Sequence, residues 1–150
     1  MADLQFSDTV TIAEFMKKNT APATSGVYKV LYKGKGMPDL LAKGTGGTHE
    51  GKDLNYDVAE LKEKWVEGVE TVYIGKAKNL HERLQTYMRF GQGKDASHRG
   101  GRAIWQIADS QKLLVCWAET DNYPGEFNGQ DLGLFRKFLD GHYYRAFDLL

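Results

Sequence analysis

The stretch TVYIGKAKNLHERLQTY (residues 71–87) gathers tyrosine, lysine and arginine side chains around one predicted turn. Tyr73 lies near the end of a predicted strand, and Lys76 lies where that strand passes into a predicted helix. Arg83 and Tyr87 are four residues apart, so they share one face of the helix. These residue types suit the binding of a phosphate, because the free backbone amides at a helix start add to the positive potential of the cations.

Another tyrosine, Tyr28, lies in the middle of a separate predicted strand, GVYKVLY. Hydrolysis of a phosphodiester needs an aligned water, a group that takes its proton, positive charge at the developing oxyanion and usually a bound cation. A tyrosine has an ordinary pKa of about 10, so it acts as a base only where a neighbouring cation lowers that pKa. Spacing alone is more typical of ordinary strand aromatics beside a surface arginine, and this alternative stays open at this point.

The charge is unevenly distributed along a chain whose formal net charge is +0. The segment 76–102 carries seven basic and two acidic residues, whereas the rest of the chain is acidic. Local potential rather than total charge guides a phosphate to a site. The segment therefore predicts a phosphate-binding region, and a solvated basic surface is the alternative.

Hydrophobic periodicity predicts an α+β fold, with a small, mostly antiparallel sheet flanked by helices. With 150 residues, 41% of them hydrophobic, the chain is expected to form one domain with a substantial core. The predicted elements are a helix at 7–19, a strand at 26–32, a brief strand and then a mobile loop at 40–55, a helix at 56–68, a strand at 70–75, a helix at 79–90, a hairpin at 102–120 and a helix at 131–144.

The single cysteine, Cys116, excludes an intramolecular disulfide and lies in an apolar run, which predicts a buried, inert thiol. No run approaches the roughly 20 apolar residues of a membrane span, and the first ten residues lack the pattern of a signal peptide. These features predict a cytoplasmic protein that does not enter a membrane.

Two motifs resemble the GIY-YIG nuclease family: SGVYKVLY and, further along, VYIGKAKNLHERLQTY. The second is similar to the nuclease domain of the incision subunit of bacterial nucleotide-excision repair, through the whole of G-K-A-x-x-L-x-x-R. HRGGRAIWQI resembles a stretch of small bacterial members and of related restriction enzymes. The resemblance covers most of residues 26–148. It implies the GIY-YIG endonuclease fold as a single domain over residues 1–150, with an insertion at about 33–70.

The resemblance also implies roles for individual residues. Tyr28 and Tyr73 would flank the attacking water, with one of them as the base, and Lys76 would help to lower the tyrosine pKa. Arg83 would bind the scissile phosphate. His98 and Arg102 would either face the same cleft or belong to a loop that contacts the nucleic-acid backbone. The full set of expected phosphate and DNA contacts is Lys78, Tyr87, His98 and Arg102.

The metal site is where this sequence departs from the family pattern. The family holds one divalent cation, Mg²⁺ or Mn²⁺, with a glutamate at the start of the last helix, and the register puts Asp131 at that place. Aspartate is one methylene shorter, and Glu126, five residues earlier, is a second candidate. Arg145 and Asp148 stand where the family usually has proline and asparagine.

The sequence therefore predicts a metal-dependent endonuclease that hydrolyses DNA phosphodiester bonds. The departures at the metal site motivate an alternative, a weakened or inactive module of the same fold that binds nucleic acid or a protein partner. Related restriction enzymes act as dimers, so a homodimer is a further expectation. Any preference among DNA substrates would come from the insertion at 33–70, from the loop at 91–102 or from a partner.

Overall fold

A computed structural model describes residues 5–49, 51–65, 67–68, 70–96 and 101–120. Its main feature is a four-stranded antiparallel sheet with short helices against it, which confirms the predicted α+β class. The strands of this sheet are β1 (Val10–Thr11), β2 (Gly26–Leu31), β5 (Thr71–Ala77) and β6 (Leu114–Glu119), in the spatial order β1-β6-β2-β5. A separate pair joins β3 (Thr48–His49) to β4 (Lys52–Asp53).

Within the described residues, three α-helices accompany the sheet, each begun by a side chain that accepts a backbone hydrogen bond. The helices are α1 (Ile12–Lys17), α2 (Val58–Lys64) and α3 (Leu80–Gly91). Asp57 caps α2 and Asn79 caps α3, each taking up an amide of the first turn that lacks an intrahelical partner. Thr11 caps α1, later than the expected start at residue 7, because the two residues before the helix join the sheet as β1.

The centre of the fold is β2, which pairs with β5 on one side and β6 on the other. Five of its six residues are buried. The apolar side of α3 packs against this region, and Leu80, Leu84 and Met88 on that side are all buried. Cys116 in β6 is also buried, as expected, and burial raises the pKa of its thiol.

The predicted hairpin at 102–120 is wrong in its first half. Arg102–Gln106 forms a 3₁₀ helix, a second short one covers Ser110–Lys112, and only Leu114–Glu119 is a strand. Ala103, Ile104 and Trp105 are all buried, and a continuous apolar run does not distinguish a buried strand from a short buried helix. Asp109 turns the chain with a left-handed φ of 56°.

The glycine-rich segment at 40–55 was predicted as a mobile loop, but backbone hydrogen bonds tie it to the interior. Leu41 N donates to Gln106 O at 2.7 Å, and Thr45 N donates to Trp105 O at 3.0 Å. Gly47 N donates to Phe90 O at 2.7 Å. The segment thus lies along the first 3₁₀ helix and the end of α3.

The side chain of Gln106 is the main polar anchor of this segment. Its Oε1 accepts from Tyr56 N at 2.8 Å, and its Nε2 donates to Tyr56 O at 2.9 Å and to Leu41 O at 3.0 Å. Gln106 is only 1% exposed, so its side chain lies away from water, and its hydrogen bonds to Tyr56 and Leu41 are partly buried. A buried amide with these three partners fixes the backbone at Leu41 and Tyr56 against the core.

Replacing Gln106 with leucine keeps its volume and removes the three hydrogen bonds. We expect Gln106→Leu to lower the free energy of unfolding by about 2–4 kcal/mol, because several backbone groups of the insertion lose a buried partner. Urea denaturation followed by tryptophan fluorescence measures this loss, and hydrogen exchange should report faster exchange at the Tyr56 amide.

The matched control is Gln111→Leu, which changes an exposed glutamine a few residues away. Its free energy of unfolding should stay within about 0.5 kcal/mol of the wild type. Equal losses from the two substitutions would contradict the role assigned to Gln106.

Candidate functional site

Three tyrosines from three different elements meet on one face of the sheet. Ring centroids of Tyr28 (β2) and Tyr73 (β5) are 5.9 Å apart, and those of Tyr73 and Tyr87 (α3) are 5.6 Å apart. Tyr28 and Tyr87 complete the triangle at 6.1 Å. The four residues Tyr28, Tyr73, Arg83 and Tyr87 are called the tyrosine–arginine cluster below.

Strand register explains why Tyr28 and Tyr73 share a face. Tyr28 pairs with Gly75 in the antiparallel β2–β5 ladder, and residues directly opposite each other project to the same side. Gly75 and Tyr73 are two positions apart, so they also project to that side. A Cβ atom at Gly75 would overlap the Tyr28 ring, so the glycine makes room for the phenol.

A second glycine, Gly101, closes the other end of the cluster. A Cβ atom there would come within 2.7 Å of the Tyr87 ring and 2.9 Å of the Tyr73 ring. Such distances are shorter than van der Waals contact, so no larger residue fits without moving the rings. The chain therefore approaches the two rings closely at the start of the first 3₁₀ helix.

Arg83 connects the cluster to the start of α3. Its side chain is half-buried and forms a hydrogen bond with the Tyr28 hydroxyl, which also shares one with Tyr73. Burial raises the pKa of Tyr28 well above its ordinary value, and the neighbouring Tyr73 adds to this effect while Arg83 opposes it. Tyr28 is fully buried, so its phenol stays protonated at neutral pH.

Tyr87 was expected to contact phosphate, but it lies in the core. It is fully buried, and its hydroxyl donates to Gly101 O at 3.0 Å. Burial raises the pKa of this phenol well above its ordinary value as well. Its position follows from helix geometry, since Tyr87 lies one turn beyond both Arg83 and Leu84, at the boundary of the apolar side. Tyr73 is the half-buried phenol of the cluster.

Lys76 was expected beside the phenols, but the register directs it elsewhere. It lies three positions after Tyr73 in β5 and pairs with Val27, so its side chain leaves the sheet on the opposite face from Tyr73. Lys78 follows the end of β5 and is exposed. The cation brought to the phenols is therefore Arg83 rather than Lys76.

Arg102 lies next to the cluster and makes a contact that the sequence did not indicate. Its Cζ atom lies 4.3 Å from the centroid of the Tyr56 ring, which belongs to the insertion. Tyr56 is separated from Arg102 by many residues and belongs to no recognised motif. Only the folded structure therefore shows that the two side chains are in contact. His98 lies outside the described residues.

The expected metal ligands Asp131 and Glu126, together with Arg145 and Asp148, lie outside the described residues. Within the described ranges, no group of three or more His, Cys, Asp or Glu side chains could hold a metal ion. The described part of the chain thus supplies phenols and guanidinium groups, and no ligand set for a cation. In this same part, no helix has both the length and the hydropathy needed to cross a bilayer.

No protein-family model, curated protein or solved structure matches this chain.

The two buried phenols should make the folded state sensitive to alkaline pH. Their folded pKa values are raised, so the stability they contribute is complete below the unfolded pKa of about 10 and is lost as the pH rises further. Between the unfolded pKa of about 10 and its raised folded pKa, each phenol should lower the free energy of unfolding by roughly 1.4 kcal/mol per pH unit. Urea denaturation at a series of pH values between about 8 and 11 measures the slope.

Tyr28→Phe should roughly halve this slope, whatever it does to stability at neutral pH. Tyr32→Phe removes a half-buried phenol outside the cluster and is the control. A slope unchanged by Tyr28→Phe would show that ionisation of this phenol is not what limits alkaline stability.

Proposed function

We propose that this protein is a metal-dependent endonuclease that hydrolyses DNA phosphodiester bonds at the tyrosine–arginine cluster. The observation that carries the proposal is the convergence of Tyr28, Tyr73 and Tyr87 on Arg83, from parts of the chain far apart in sequence. These are the residues that the resemblance to the GIY-YIG nuclease family selects. The glycines that make room for the rings strengthen the argument, since Gly75 belongs to the YIG motif itself.

Tyr73 is the phenol best suited to accept a proton from the attacking water. Tyr28 and Tyr87 are fully buried, and burial raises the pKa of both, which disfavours their phenolates. Tyr73 is half-buried, and its hydroxyl shares a hydrogen bond with Tyr28. The hydrogen bond raises the pKa of Tyr28, which is the effect expected when Tyr28 donates and Tyr73 accepts.

In the proposed reaction Tyr73 has first lost its own proton to solvent. The water oxygen then bonds to phosphorus while the water proton passes to the Tyr73 phenolate oxygen. The bond from phosphorus to the leaving oxygen breaks, and the departing strand takes up a proton from solvent. Arg83 binds the non-bridging oxygens, where negative charge develops, through its planar set of N–H donors. Tyr28 holds the guanidinium and the Tyr73 hydroxyl in fixed orientations through its two hydrogen bonds.

A divalent cation, Mg²⁺ or Mn²⁺, belongs to this proposal on the strength of the sequence. The described residues do not form a ligand group, so Asp131 and Glu126, which lie outside them, are the candidates to hold it. When bound, such a cation would stabilise charge on the oxygens of the phosphate.

A second candidate function is binding of nucleic acid without hydrolysis. It is favoured by the protonated state of Tyr28 and by the direction of Lys76, which the register sends to the other face of the sheet. A neutral phenol cluster with one guanidinium binds a phosphate without supplying a base. The protein partner expected from the sequence remains an alternative ligand for such a module.

Incubation of supercoiled plasmid with the purified protein and magnesium or manganese separates the two candidates. The endonuclease should convert the plasmid to nicked and linear forms. Tyr73→Phe and Arg83→Ala should each lower the rate by about 10²–10⁴, because one removes the proton acceptor and the other a phosphate donor. Circular dichroism checks that the variants are folded.

Tyr32→Phe and Arg89→Ala are matched controls, because they change a tyrosine and an exposed arginine outside the cluster. Nicking that persists equally in all four variants would indicate a contaminating nuclease and contradict the proposal. Affinity for DNA with no nicking by the wild type would support the second candidate.

A further inference from the structure

The guanidinium of Arg102 lies against an aromatic ring, and one of its donors, Nε, lacks a hydrogen-bond partner within the described residues. Its Cζ atom is 4.3 Å from the Tyr56 ring centroid, a distance typical of a cation–π contact. The Nε atom is buried and has no hydrogen-bond partner among the described residues. In that same part of the chain, no carboxylate forms an ion pair with Arg102.

Stacking of this kind occupies the face of the guanidinium. Because Nε is buried, the donors left for a ligand are the two Nη groups, which lie in the plane of the guanidinium. Those donors match the oxygens of a phosphate, which can accept two parallel hydrogen bonds from one arginine. Within the described ranges Arg102 is held by an aromatic ring and not by a carboxylate, so no partner there neutralises its charge. The observed contacts of Arg102 therefore fit an anion contact better than a structural ion pair.

Tyr56 is itself fixed in place, so it can orient Arg102. Both its amide and its carbonyl are bonded to the buried Gln106 side chain, at 2.8 and 2.9 Å. The preceding residue, Asn55, donates to Asp53 Oδ1 and accepts from Gly44 N at 2.9 Å. The Tyr56 ring therefore projects from a stretch of backbone that these hydrogen bonds hold in place.

Arg102 also directly follows Gly101, the residue that packs against the rings of Tyr73 and Tyr87. This adjacency puts the Arg102 backbone at the edge of the cluster that contains Arg83. The two guanidinium groups come from different elements, α3 and the first 3₁₀ helix, and both are half-buried.

We propose that Arg102 binds a phosphate of the DNA backbone neighbouring the one at Arg83, and that Tyr56 of the insertion positions it. The inference rests on the proposed function for the site that receives the strand, and adds to it a second phosphate contact and the residue that positions it. Arg102 is then a binding residue and Tyr56 a positioning residue that acts through it.

The test is the salt dependence of binding to a short fluorescein-labelled DNA duplex, measured by anisotropy with EDTA present so that the DNA is not cut. Loss of one phosphate contact lowers the slope of log affinity against log salt by about 0.9. We expect this decrease in Arg102→Ala, together with roughly tenfold weaker binding at low salt. Arg89→Ala, an exposed arginine of α3, is the matched control and should change neither quantity as strongly.

Tyr56 variants test the positioning role. Tyr56→Leu removes the ring and should reproduce most of the affinity lost in Arg102→Ala, whereas Tyr56→Phe keeps the ring and should bind as the wild type does. In the Arg102→Ala background, Tyr56→Leu should have no further effect, because its action passes through Arg102. A purely structural role of Tyr56 would weaken binding equally in both backgrounds and would overturn this part of the inference.

Failure of this inference can be distinguished from failure of the proposed function. If the wild type binds or nicks DNA while Arg102→Ala keeps the wild-type slope, the contact at Arg102 is refuted and the cluster remains the proposed site. If the wild type nicks DNA but shows no affinity for DNA in EDTA, the contact at Arg102 is also refuted, because a contact between arginine and phosphate needs no metal. A wild type that neither binds nor nicks DNA refutes both proposals.

Discussion

The close packing of the Tyr28 phenol over Gly75 is the constraint on which the candidate site depends. The antiparallel register sets the two residues opposite each other, and the absence of a side chain at Gly75 lets the ring lie across β5. The Tyr28 hydroxyl then reaches both Tyr73 and Arg83. A shift of one residue in this pairing would send Tyr28 to the other face and separate the phenol from the guanidinium.

Burial divides the tyrosines between different physical roles. Tyr28 and Tyr87 have no exposed surface, and their hydroxyls use hydrogen bonds inside the protein, so they behave as polar members of the core. A buried phenol is costly unless it is bonded, and Arg83 and the Gly101 carbonyl supply those bonds. Tyr73 is only half-buried, which is why the proposed proton transfer is assigned to it.

The segment that contains Leu41 and Tyr56 lies beside the cluster. The Gln106 side chain forms hydrogen bonds with the backbone of this segment at Tyr56, and the Tyr56 ring stacks on the Arg102 guanidinium. The same 3₁₀ helix therefore anchors the insertion with its last residue and carries Arg102 as its first. In the proposed function this arrangement would let a segment outside the family motifs influence how DNA is held.

The sequence alone determined the elements with local causes. Hydrophobic periodicity determines α1, α2 and α3, and alternation determines β2, because both patterns involve near neighbours in the chain. The caps Asp57 and Asn79 also act on nearby amides. The α+β class follows from the order of these elements. The convergence of Tyr28, Tyr73 and Arg83 was expected from the family resemblance, although neither their spacing nor their types required it.

Only the tertiary structure decided the features that depend on residues distant in the chain. It buried Tyr87, turned Lys76 to the opposite face, converted the expected first strand of the hairpin into a 3₁₀ helix and brought Tyr56 to Arg102. Each of these depends on register or on long-range packing, which local periodicity does not encode. Gln106 illustrates the reason: a glutamine in an apolar run carries no local pattern, yet its burial fixes the backbone of a segment some fifty residues away.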